Sequence, residues 1–229
     1  FLFMCFLPST VQSSIAFTSV AKGNVAAAVC SASFSNLIGM FITPVMVSLF
    51  IFGHSKHDYD PTSSIIQIAL LLLVPFILGQ LLRPYVFPLM AKVPSIVKAF
   101  DQGTILMVVY SAFSSAVIAG LWHQVGIGTL IALIISCSVL LTIIMLSAFY
   151  ISRLLGFNRE DQISIFFCGS KKTLASGVPM AQILFIGQPL GMIVLPIMIF
   201  HQIQLMTCGI IANYLAKQQS DEETLVRSE

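Results

Sequence analysis

Two adjacent lysines, Lys171 and Lys172, stand in a run that is otherwise apolar or small, from Phe166-Phe167-Cys168-Gly169-Ser170 to Thr173-Leu174-Ala175-Ser176-Gly177-Val178-Pro179. An ionisable side chain at membrane depth costs about 2.5–3.5 kcal/mol on insertion scales and marks a pathway, a relay or a solute site. Ten helical residues separate Asp161 from Lys171, about 15 Å at ~1.5 Å per residue, which is near a bilayer midplane and beyond comfortable snorkelling. With the hydroxyls of Ser170 and Thr173, the pair supplies positive charge and hydrogen-bond donors, the chemistry that holds an anion. One lysine can bind the anion while the other replaces a structural cation.

A second polar run, Leu7-Pro8-Ser9-Thr10-Val11-Gln12-Ser13-Ser14, brings uncharged donors and acceptors in Thr10, Gln12, Ser13 and Ser14. For any one of these, hydrogen bonding between helices is as good a reading as ligand contact. Ser33 and Asn36 are candidates to present oxygens to the same cavity, whereas Ser31 and Ser35 read as packing residues. His201 and Gln204 are polar positions in the last apolar run. His201 reads first as a hydrogen-bonded structural residue and second as a proton carrier, since imidazole ordinarily titrates near pH 6.5. His54, His57, Asp58 and Asp60 fall in one loop without cysteine and read as a solvated turn, so no metal and no cofactor is expected.

These residues need elements to position them, and the composition says which kind. Of 229 residues, 57% are hydrophobic and 9% charged, with mean hydropathy +0.97; soluble domains carry about 25% charged residues. An all-α polytopic membrane protein in a lipid bilayer is the class that fits. Disorder, a disulfide scaffold and a nucleic-acid partner are excluded by the apolar content, by five cysteines set mostly in apolar runs, and by a net charge of +2 without a basic stripe.

Breakers divide the chain into seven apolar segments, 1–21, 25–52, 62–82, 99–122, 125–151, 161–186 and 190–215. With the C-terminus cytoplasmic, Lys22, Arg83, Lys92, Lys98, Arg153, Arg159, Lys217 and Arg227 face the cytoplasm and only Lys56 lies outside, as positive-inside topology requires. Residues 54–61 are then an external loop and 217–229 a disordered cytoplasmic tail. The opening Phe1-Leu2-Phe3 inside an apolar run reads as a fragment of a longer protein with about three further spans.

Segments 1–21 and 161–186 do not read as uninterrupted helices, because Pro8, Gly169, Gly177 and Pro179 fall among polar residues. Freed backbone at membrane depth survives only where protein buries it or it lines a cavity, and paired discontinuous helices point to a transporter site. Gln12-Ser13-Ser14-Ile15-Ala16 can be laid on Lys171-Lys172-Thr173-Leu174-Ala175, and each broken segment precedes a long helix with one internal proline, Pro44 or Pro196. The two broken segments run in opposite directions in the charge-derived topology, as in an inverted repeat. Residues 1–53 are then the last two helices of a first repeat and 62–216 a complete second repeat of five.

The run Leu7 to Ser19, the following Gly23-Asn24-Val25-Ala26-Ala27-Ala28, Phe167-Cys168-Gly169-Ser170-Lys171-Lys172 and Phe200-His201-Gln202-Ile203-Gln204 together resemble the bile acid:sodium symporter superfamily, closest to its orphan, member-seven branch of solute carrier family ten with its bacterial homologues. The resemblance implies a core domain and a panel domain, two crossing broken helices at the substrate site, and location in a bacterial inner (plasma) membrane. It also implies that Phe167 and Lys171 stand where sodium-coupled members place a Glu and a Gln as sodium ligands, so sodium coupling does not carry over residue by residue.

The expected activity is alternating-access secondary transport of a small organic or other anion, with sodium and the proton both open as coupling ion. A non-transporting regulatory membrane protein of the same fold is the alternative. An intramembrane enzyme is disfavoured, because adjacent Ser170 and Lys171 do not face each other on a helix.

Overall fold

In the computed structural model, the described residues are 1–52, 66, 70, 74–118, 120, 125–185 and 188–228. Among them the chain is helical and contains no strand. The helices are α1 (Leu2–Cys5), α2 (Val11–Val20), α3 (Val25–Val47, continued by a π-helical turn Ser48–Phe52), α4 (Val74–Met90), α5 (Pro94–Ile118), α6 (Ile127–Leu154), α7 (Arg159–Gly169), α8 (Gly177–Leu184) and α9 (Leu190–Ser228). Among the described residues three stretches are long and apolar enough to cross a membrane, Val25–Ile51, Ile127–Leu154 and Leu190–Gln219. Many large apolar side chains on them are exposed, among them Phe34, Ile143 and Ile210. Such surfaces suit lipid and not water.

Several boundaries differ from the sequence reading. The segment expected at 62–82 begins outside the described residues, as does the loop 54–61, and its helix runs on to Met90 through Pro84 and Pro88. Proline removes one ladder bond without ending a helix when the surroundings satisfy the freed carbonyl. Helix α5 starts at Pro94, ahead of the expected position 99, because proline at the first helical position loses only a donor that has no partner anyway. The tail expected to be disordered from Lys217 continues α9 to Ser228; Lys, Gln, Glu and Leu are good helix formers and no Gly or Pro intervenes.

The chain divides into two compact units, one of residues 1–6, 39–125 and 174–195, the other of residues 7–38, 126–173 and 196–229. In the first, Phe3 of α1 meets the edge of Phe185 at 5.2 Å between ring centroids. The Thr43 hydroxyl donates to the Phe6 carbonyl at 2.7 Å, satisfying the end of α1.

In the second unit, α7 packs against α2 and α6. The α2–α3 junction there is a Schellman turn: Lys22 N–H donates to Ser19 O at 3.1 Å and Gly23 N–H to Thr18 O at 2.8 Å, with Lys22 left-handed at φ 52°. Asn24 caps α3 by accepting from Ala27 N–H, and its Nδ2 donates to Asp161 Oδ1 at 2.7 Å. Asn158 caps α7 by accepting from Asp161 N–H. The starts of α3 and α7 are therefore tied through one Asn–Asp pair.

Gly23 has no room for a side chain, since a Cβ there would lie 2.6 Å from Ile163 Cγ2. We expect Gly23→Ala to cost about 1–3 kcal/mol by overpacking, whereas Lys22→Gly relieves the left-handed residue and leaves the melting temperature in detergent unchanged or higher. A Gly23→Ala protein melting with the wild type would show that this junction is loose.

Candidate functional site

All the contacts of this site fall within the second unit. Pro8 lacks an N–H and disfavours helix at Leu7, so the chain leaves the helix between α1 and α2. The break between α7 and α8 falls at Ser170–Ser176, after Gly169. Two breaks free many peptide groups, and each finds a partner of a particular kind.

Thr173 N–H donates to Pro8 O at 3.0 Å, joining the two interruptions directly. Lys172 N–H donates to Gln204 Oε1 at 2.9 Å, and Gln204 Nε2 returns to Lys172 O at 2.9 Å. The fully buried Gln204 amide thus pairs with both backbone polar groups of one residue. The same carbonyl accepts a second bond from Thr10 Oγ1 at 2.7 Å, which fills both of its lone pairs. Thr10 precedes α2 in extended conformation, and its hydroxyl makes no cap bond there.

The first interruption is held in the same way. Ser9 N–H donates to Ser35 Oγ, Ser9 Oγ donates to Cys168 O at 2.6 Å, and Asn36 Nδ2 donates to Ser9 O at 2.6 Å. Ser14 Oγ donates to Phe167 O at 3.4 Å. Ala28 and Ala32 pack against Cys168 and let α3 approach closely.

Each lysine reaches back to the first broken helix. Lys171, 1% exposed, donates from Nζ to Ser13 O at 2.8 Å. Its ammonium lies 3.8 Å from the Phe17 ring centroid and 5.5 Å from that of Phe167, a cation–π enclosure. Lys172 is half-buried and donates from Nζ to Leu7 O at 2.9 Å. Gln204 Nε2 also meets His201 Nδ1 at 2.9 Å.

The structure therefore brings together Lys171, Lys172, Thr173, Thr10, Ser13, Ser14, Asn36, His201 and Gln204. Ser170 is buried beside them. Gln12 and Ser33 are exposed. Ser33 is rotated by about 100° from the buried face at Ala32, which is why Ser35 and Asn36 reach the interruption and Ser33 does not. His54, His57, Asp58 and Asp60 lie outside the described residues. Among the described residues no cluster of metal ligands occurs.

Sequence reasoning missed Ser9, Ser35 and the aromatic pair around Lys171. For Phe167 a signal existed: it precedes Lys171 by four residues, the spacing of neighbours on a helix.

The model of the SBF-like CPA transporter family matches residues 1–217, across both interruptions and α9. The chain belongs to the SBF-like CPA transporter family. This is the bile acid:sodium symporter type that the Pro8 and Lys171 motifs resemble, and it makes the chain part of an integral membrane protein. Among relatives of this SBF-like chain, "Uncharacterized protein PA2026" of Pseudomonas aeruginosa is 50% identical over 220 residues, 96% of this chain and 66% of that protein. "Putative symporter YfeH" of Escherichia coli (strain K12) is 49% identical over 218 residues, 95% of this chain and 65% of that protein. "Sodium/bile acid cotransporter 7" of Rattus norvegicus is 28% identical over 207 residues, 90% of this chain and 60% of that protein. The chain thus spans a little under two thirds of the relatives it matches.

Gln204→Leu keeps the shape roughly but leaves Lys172 N–H unpaired in a buried place, which costs about 1–3 kcal/mol. A fall in the unfolding midpoint of the full-length protein in detergent checks this; an unchanged midpoint would mean that water replaces the amide.

Proposed function

We propose that the protein is a secondary active transporter of a small anion, working by alternating access, with the anion held where the two helix interruptions meet. The observation that carries this reading is the contact of two broken helices through Thr173–Pro8, Thr10–Lys172 and Lys172–Leu7, with two lysines in the contact. No acidic residue of the sequence lies between Asp101 and Glu160 or between Asp161 and Asp221, and the carbonyls of Ser13 and Leu7 and the rings of Phe17 and Phe167 meet the two ammonium groups. Half-buried Lys172, with Ser170 and Thr173 beside it, is the residue that meets the anion. Ser13 and Asn36 line the same place.

Lys171 takes a different role in this reading. Its enclosure by a carbonyl and two rings suits a cation, so it supplies the charge that a bound sodium ion would bring. The family name favours sodium coupling; the lysine favours transport that does not need sodium.

The inverted repeat has support from the order in which the chain visits its two compact units. The first broken helix passes from the first unit to the second and the other broken helix from the second to the first; α3 and α9 are likewise opposed. Residues 1–53 are the end of one repeat and 62–216 the other, giving seven spans in all with core and panel parts, a cytoplasmic C-terminus and a bacterial plasma membrane as the setting.

Full-length protein in liposomes, challenged with a panel of organic and inorganic anions, tests this. Lys172→Ala is expected to lose about tenfold to a hundredfold in apparent anion affinity, the worth of a charge-assisted hydrogen bond of about 1.5–3 kcal/mol, while inserting as the wild type does. Wild-type uptake is expected to persist when choline replaces sodium. Uptake by Lys172→Ala equal to wild type would remove the anion site, and strict sodium dependence would remove the fixed-cation role of Lys171.

A further inference from the structure

The Lys172 peptide dictates which way the Gln204 amide faces. Its N–H requires the amide oxygen and its carbonyl requires the amide nitrogen, both at 2.9 Å. The second hydrogen of Nε2 then points at His201 Nδ1, also at 2.9 Å. An amide nitrogen accepts no hydrogen bond, so Nδ1 must carry a lone pair and not a proton. The clamp on the interruption is compatible with neutral His201 carrying its hydrogen on Nε2, and with no other state of that ring.

We propose that His201 is a proton-binding site that releases the second helix interruption when it is occupied. A proton taken from water onto Nδ1 sets a donor against the Gln204 donor, and that hydrogen bond is lost. The Lys172 carbonyl, which accepts from the same amide nitrogen, becomes the acceptor for Nδ1–H. Gln204 cannot answer by flipping, because its NH2 would then face Lys172 N–H. The amide is displaced, and Lys172 N–H and the segment after it lose their anchor to α9.

The charged groups on the facing elements set the coupling. The second interruption brings Lys171 and Lys172, and the segment before α2 brings the Thr10 hydroxyl, which shares the Lys172 carbonyl with Gln204. Two ammonium groups beside an imidazolium oppose protonation. An anion bound at Lys172 offsets them, so anion and proton each strengthen the binding of the other, a reciprocity that linkage requires. This part rests on the transporter reading and names its coupling ion; the proton site itself does not need that reading.

The test uses amide hydrogen exchange, read by mass spectrometry on the full-length protein in detergent without any substrate, at pH 7.5 and pH 5. Exchange over the peptide spanning 169–175 is compared at each pH between wild type, His201→Asn and Gln204→Leu, so that the intrinsic pH dependence of exchange cancels. Asn places an amide oxygen where Nδ1 stood and cannot be protonated. Wild type should match His201→Asn at pH 7.5 and exchange about tenfold or more faster than it at pH 5, the scale of one buried hydrogen bond lost. Gln204→Leu should be fast at both. Identical pH dependence in wild type and His201→Asn would overturn the proposal. If His201→Asn does not fold, imidazole 15N resonances of the wild type decide: a bare Nδ1 at pH 7.5 supports the site and a protonated Nδ1 refutes it. An intact exchange switch in a protein that moves no anion would count against the transport reading alone.

Discussion

A chain that leaves the helix inside a membrane must find a protein partner for every peptide group it frees, because hydrocarbon offers none. Most of what is particular to this molecule follows from that constraint. Pro8 and the Gly169–Ser176 stretch free backbone in two places, and the two places satisfy each other: a peptide bond of one donates to a carbonyl of the other, a threonine hydroxyl crosses back, and a lysine caps the carbonyl before Pro8. Neither interruption is tolerable without its counterpart. Gln204 supplies what the pair cannot, closing both ends of the Lys172 peptide from a long helix that remains unbroken beside it.

The same constraint bears on how a buried lysine is accommodated. Lys171 is enclosed by a carbonyl and two phenyl rings, which meet a cation's needs while remaining uncharged. A buried ion pair would cancel the field at the site; this arrangement keeps it. In the transport reading proposed above, the solute meets that potential at Lys172, whose side chain is half-buried. In that reading the same few contacts serve stability and transport, and His201 stands one hydrogen bond from the Gln204 amide that holds Lys172.

The sequence makes the helical class legible through apolar runs, and the two interruptions through proline, glycine and charge among them. Asn36, Thr10, Gln204 and the lysine pair are legible too, since polar side chains at membrane depth are few. Helix ends are less so. Pro84 and Pro88 look like terminators and are not, and the polar stretch after Lys217 looks like a loose tail yet continues α9. Facing is hidden as well: choosing Ser33 over Ser35 needs the rotation of α3 against Cys168, which Ala28 and Ala32 set by packing and which no short motif records. The roles of Ser9 and of the Phe17 ring depend on partners about 150 residues distant in sequence, so local pattern could not show them.

That the two interruptions form one hydrogen-bonded unit is tested most directly by a double-mutant cycle between Thr10→Val and Gln204→Leu, read as unfolding free energy of the full-length protein in detergent. Thr10 and Gln204 share one acceptor, the Lys172 carbonyl. Removing either takes one of these two bonds and leaves the other, and removing both takes the two together. The double variant is therefore predicted to lose about 1 kcal/mol or more beyond the sum of the single losses. Losses that add within about 0.3–0.5 kcal/mol would contradict the account, because distant and independent sites behave that way.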